Sequence, residues 1–252
     1  MAEKMHRLKV PPIVEAVLDI NCDLPPVFEL TALEAAAREV FRDKYPKFNT
    51  RFLHEFQLEA AQGIEPQLTK RQGIQAFQFL QDDGKQLLQV RLQGFSFNRL
   101  APYTDLDDYL PEIERTWRQY CLLAKPVLIR EIRLRYINRI LLPMAGEQVN
   151  LDDYLTFGVK LPDEDRLMLT GFLVQQNATE RSTSNQVNIT LAAQPHEDDK
   201  LPLILDIEAF KMDSIEPDDW SATQSIVQSL RVLKNLVFKK SLTEKCMHLF
   251  QQ

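Results

Sequence analysis

The sequence predicts an α+β protein made of two similar modules, each running strand, helix, antiparallel meander, long helix, with the long helices packed on the sheets. Three observations carry this. Segments such as QVRLQGF and IRLRYINRI alternate apolar and polar residues with the two-residue period of a strand. Two other stretches, around Leu110 to Leu123 and Trp220 to Val237, repeat their apolar residues at helical spacing. The order of elements in residues 1–126 then recurs in residues 127–252, which sets the expected module boundary. A chain of 252 residues exceeds the common domain size of about 100 to 150 residues, so two modules or one larger continuous domain both fit its length.

PPIVEAVLDIN predicts a strand from about Ile13 to Asn21, with the prolines at its head. Thr31 and Glu34 have the spacing of a capping box, and Leu33, Ala37, Val40, Phe41 and Tyr45 continue as a helix that Pro46 stops. RFLHEFQLEA and IQAFQFLQ read as strands, and the DDG turn after Gln81 predicts a hairpin. Gly94 falls inside an alternating run and predicts a bulge or bend, with pairing continuing to Phe97. Asp105 or Asp107 can cap the next helix, whose stripe is Leu110, Ile113, Trp117, Tyr120 and Leu123 and which Lys125 and Pro126 end. Pro111 is expected in the first turn, where a missing amide is harmless.

The run from Val127 to Leu142 is the longest predicted strand. A short helix in NLDDYLTFG and a second meander of RLMLTGFLVQQ, NQVNITLAA and LPLILDIEAF follow. The final helix begins near Trp220, and Ser241 with Glu244 forms a second capping-box spacing for a last turn ending at Phe250.

Composition excludes several function classes. The formal net charge of −6 provides no overall positive field, so a nucleic-acid site would have to be a local patch. Seven glycines leave few positions for a phosphate-cradling loop, and neither P-loop, dinucleotide nor G-x-S-x-G strings occur. His6, His54, His196 and His248 are isolated, and Cys22, Cys121 and Cys246 are far apart among apolar neighbours. No metal, no cofactor and reduced thiols are therefore expected. No apolar run suits a secretion signal or a membrane span, so a cytoplasmic protein is expected.

The most informative constellation is Arg133, Arg135 and Arg139 on one face of a strand, with Tyr136 and Asn138 on the other. Arginine rows take carboxylate or phosphate bidentately, which points to an anionic ligand or a nucleic-acid strand. Arg91 and Arg99 would extend the patch if their strands are neighbours. The competing reading is that these arginines bind the protein's own acidic excess. Asp206 and Glu208 share one strand face and could hold a divalent ion, whereas the acidic pairs elsewhere sit at turns and helix starts, where they cap amides. Phe95, Phe97, Tyr103, Trp117 and Tyr120 are expected in the core.

Three segments together, PPIVEAVLDI, LQVRLQGFSFNRLAPY and IRLRYINRI, resemble a sporadically distributed family of uncharacterised prokaryotic proteins of about this length. Members share a PPI-x-EA opening, an f-N-r-x-x-x-Y segment and an R-Y-I-N-r-I strand, and the resemblance spans nearly the whole chain. It implies no activity, cofactor or substrate. Its scattered distribution resembles that of accessory and defence genes. The expected function is a non-catalytic binding or assembly protein, a homo-oligomer or partner-binding component of a prokaryotic defence or toxin-antitoxin-like system. The alternative is a nucleic-acid binder or metal-dependent nuclease using the basic strand face.

Overall fold

The computed structural model describes residues 8–59, 67–144, 146, 149–158, 160–163 and 166–251. Its strands are β1 (Ile13–Asp23), β2 (Lys47–Glu59), β3 (Gln67–Leu80), β4 (Gln86–Arg91), β5 (Gly94–Leu100), β6 (Leu128–Pro143), β7 (Leu173–Thr179), β8 (Gln186–Ala193) and β9 (Lys200–Ile215). The helices are α1 (Glu34–Phe41), α2 (Leu106–Ala124), α3 (Trp220–Ser241) and α4 (Glu244–His248). All nine strands join one antiparallel sheet in the order β2-β3-β4-β5-β1-β6-β9-β8-β7. The fold is α+β as expected, but a two-module repeat is not evident. β1 and β6 are hydrogen-bonded neighbours, so both halves share one sheet. The halves also differ in content: an eight-residue helix and four strands follow β1, whereas a three-residue 3-10 turn and three strands follow β6.

Strand alternation divides the sheet into two chemically different faces. Leu18, Ile20, Phe97, Leu88, Phe79, Leu134, Tyr136, Leu205 and Ile207 point to one side and are buried beneath the helices. Each such large apolar side chain contributes roughly 1.5–3 kcal/mol by leaving water. Trp117 and Tyr120 of α2 stack with ring centroids 5.3 Å apart, and Phe95 of β5 meets both. The expected core aromatics Phe95, Phe97, Tyr103, Trp117 and Tyr120 are all buried. No helix among the described residues is long and apolar enough to cross a membrane.

Several local expectations are corrected. Leu92 and Gln93 form a two-residue hairpin turn between Arg91 and Gly94, so the run is two strands rather than one bulged strand. Gly94 has φ +139, and an added Cβ would lie 2.0 Å from the Ile20 carbonyl oxygen. Thr31 forms no capping box because it lies inside a 3-10 turn over Leu30–Leu33 that leads directly into α1. A capping residue needs extended backbone, which Glu29 has instead. Ser241 likewise ends α3, and Thr243 takes the cap of α4 by accepting from the Cys246 amide. Asp105 caps α2, accepting from the Asp107 amide, which places Pro111 in the second turn. The strand expected over RFLHEFQLEA runs through Glu59; residue 60 lies outside the described residues.

The two sheet edges differ in chemistry. The β2 edge carries Lys47, Arg51, Glu55 and Glu59 in its sequence. The β7 edge, LVQQNAT, has no charge and no proline, and six of its seven residues are exposed.

Candidate functional site

The face of the sheet away from α2 and α3 carries the arginine row. Period-two alternation along β6 points Arg133, Arg135 and Arg139 outward, while Ile132, Leu134, Tyr136, Asn138 and Ile140 are buried on the helix side. Each outward guanidinium meets a carboxylate. Arg133 bonds Glu131 at 2.8 Å and Glu208 at 3.0 Å. Arg135 donates through Nε to both oxygens of Asp206, at 2.9 and 3.0 Å. Arg139 pairs with Glu197. Arg91, three strands away on β4, donates to Asp19 at 3.0 Å, to the Asn21 side chain at 3.1 Å and to the Phe95 carbonyl at 3.2 Å. The hydrogen bonds to Glu131 and to Asp206 raise the pKa values of Arg133 and Arg135, holding them still more firmly as cations.

Amide side chains tie these pairs into one lattice across the sheet. Asn21 donates to Glu131 at 2.8 Å, Asn98 to Glu15 at 2.8 Å, and Asn188 to Glu208 at 2.9 Å. Ser96 bonds Asp19, and Gln78, Gln89 and Asn98 form a chain over β3, β4 and β5. The lattice holds Arg91, Arg133, Arg135 and Arg139 against Glu15, Asp19, Glu131, Glu197, Asp206 and Glu208, an excess of carboxylate. A phosphate entering here would have to displace carboxylates already bonded to these guanidiniums.

Of the five arginines singled out from sequence, four share this face and one does not. Arg99 stands opposite Ala16 on the helix side, its guanidinium 5.4 Å from the centre of the Tyr109 ring. Its alternation with Asn98 explains this: one residue along a strand changes the face. Asp206 and Glu208 do share a face, but as the partners of Arg135 and Arg133. Among the described residues no group of three His, Cys, Asp or Glu could hold a metal ion.

Beneath the helices lies a residue that sequence reasoning passed over. Lys234 of α3 is buried, with its ammonium 3.6 Å from the centre of the Tyr136 ring. Tyr136 in turn shares a hydrogen bond of 2.7 Å with the Tyr103 hydroxyl. Burial, with the neighbouring Arg231 cation, brings Lys234 down to about 7, against the smaller opposing pull of Asp105. Its spacing gave the signal: Lys234 is four residues after Leu230 and four before Phe238, both buried. The three thiols are free and all pushed up to about 12, with burial the largest cause, so none is an activated nucleophile.

A groove of about 550 Å³ opens between the C-terminal end of α2 and the connection from β9 to α3. Trp117, Cys121 and Trp220 lie along it, Lys125 on the α2 side and Glu216 and Asp218 on the other. The Trp117 indole donates to the Pro217 carbonyl at 3.0 Å, fixing the two walls together. Lys125 is the left-handed C-cap of α2, with φ 47, where a cation faces the negative end of the helix dipole. Compared with protein-family models, with curated proteins and with solved structures, the chain matches none.

Proposed function

We propose that this protein is a binding and assembly protein without chemistry of its own, and that it assembles as a homodimer through the free edge of β7. The uncharged, exposed edge strand supports this reading. An edge strand presents a row of unpaired N–H and C=O groups, and folds that stay monomeric guard such rows with charge, proline or a covering element. Among the described residues β2 bears the exposed Lys47 and Arg51, whereas β7 bears no charge.

Identical strands meeting antiparallel about a two-fold axis satisfy each other's backbone groups and close the assembly at two copies. Centring the pairing on Gln176 sets Gln175 opposite Asn177 of the second copy, an uncharged amide pair. The charged, internally paired face of the sheet also fits a surface that stays in water while the edge associates.

Multi-angle light scattering on a sizing column tests this across micromolar concentrations. The expected result is a dimer that becomes monomeric in the Gln175→Lys, Asn177→Lys double variant with its circular dichroism retained, because lysines then face lysines at the axis. A monomeric wild-type protein, or a dimer untouched by the lysines, contradicts the reading.

A further inference from the structure

The groove beside α2 has a charge pattern that the assembly reading does not use. Its two walls carry opposite charges: Lys125 on the α2 side, Glu216 and Asp218 on the connection to α3. Arg118 also lines it, but its guanidinium is held by Glu114 at 2.7 Å. Lys125, Glu216 and Asp218 make no ion pair with any described residue, so although they share a groove they stand more than 4.0 Å apart. The rest of the lining is largely apolar, with the exposed Leu122 and Val127, the half-buried Cys121, and Trp117 and Trp220, which are themselves buried. Its volume of about 550 Å³ lies inside the range of about 300–1,000 Å³ typical of small-ligand pockets.

We propose that this groove binds a small zwitterion with an apolar side chain, an amino acid in chemical class. The ammonium of such a ligand faces Glu216 and Asp218, its carboxylate faces Lys125, and its side chain lies on the apolar lining of Leu122 and Val127 beside the tryptophans. Lys125, Glu216 and Asp218 are exposed to water, and a ligand that carries both signs matches both walls at once, because their separation keeps them from pairing with each other. A cation alone or an anion alone leaves one wall unmatched.

The groove supplies its own reporter, because both tryptophans of the chain line it. Intrinsic tryptophan emission, excited where phenylalanine does not absorb, is titrated with L-phenylalanine, with 3-phenylpropionate and with phenethylamine. The expected result is a saturable change for phenylalanine, with the two single-charge analogues each about tenfold weaker or worse. Asp218→Asn, on an exposed connection, is expected to weaken phenylalanine about tenfold and leave phenylpropionate unchanged; Lys125→Met is expected to do the converse with phenethylamine. Three ligands binding alike, no saturable response to phenylalanine, or variants that leave the preference intact would each overturn the proposal. Circular dichroism of both variants separates a lost site from a lost fold.

Discussion

Lys234 shows how far one buried charge can bias the molecule. An amine that titrates near 10.5 in the unfolded chain and at about 7 in the folded one means that the unfolded chain holds more protons between those values. Stability therefore rises with pH through that window, and below pH 7 the ammonium is retained at a desolvation cost. The Tyr136 ring returns part of that cost, about 2 kcal/mol for a desolvated cation over an aromatic face. Lys234→Met is predicted to stabilise the protein by on the order of 1–3 kcal/mol at neutral pH, and by less near pH 10. Urea unfolding at the two pH values measures this, and equal destabilisation at both would show that the ring contact outweighs the burial. At this scale the sequence disclosed the arginine row, because alternation along one strand needs no tertiary knowledge. It did not disclose the arginines' partners. Asp206 and Glu208 lie on β9, and only the register of β6 against β9 turns a candidate metal pair into two ion-pair partners.

Among the elements, the β4–β5 hairpin is the most constrained. Gly94 combines φ +139 with a backbone approach that a Cβ would bring to 2.0 Å of the Ile20 carbonyl oxygen, and backbone atoms cannot rotate aside as a side chain would. Gly94→Ala is predicted to destabilise by on the order of 3 kcal/mol or more through strain and loss of β1–β5 pairing. Gly84→Ala, in the DDG turn at φ +68 with nothing within 4 Å of its Cβ, should cost only about 1 kcal/mol. Thermal unfolding of the two variants compares them, and similar melting points would remove the close-approach argument. The DDG hairpin, the long strand β6 and the helices α2 and α3 were legible because local chemistry alone specifies them. The turn at Leu92 and Gln93 was not, since the need for glycine at 94 arises from a strand more than seventy residues earlier. Both capping boxes failed for a similar reason: the right spacing does not fix which residue leaves the helix with extended backbone.

For the whole molecule, the sequence order of elements implied two modules and the structure has one sheet. Propensity and periodicity cannot say that β1 pairs with β6, and that single pairing decides between two sheets and one. Among the described residues the joined sheet leaves an edge at β2 that bears the exposed Lys47 and Arg51 and an exposed edge at β7 that bears no charge, and the proposed dimer follows from that difference. The same topology keeps the carboxylate-rich face away from the helices and the α2 groove away from the arginine lattice, so assembly and ligand binding are separately testable. Amide hydrogen exchange of β7 at high and low protein concentration reads the edge pairing strand by strand. A dimer joined at this edge protects the outward amides of Leu173–Thr179 at high concentration and releases them on dilution, while β6 amides stay unchanged. Fast exchange along β7 in a protein that is nevertheless oligomeric would contradict it and place the interface elsewhere.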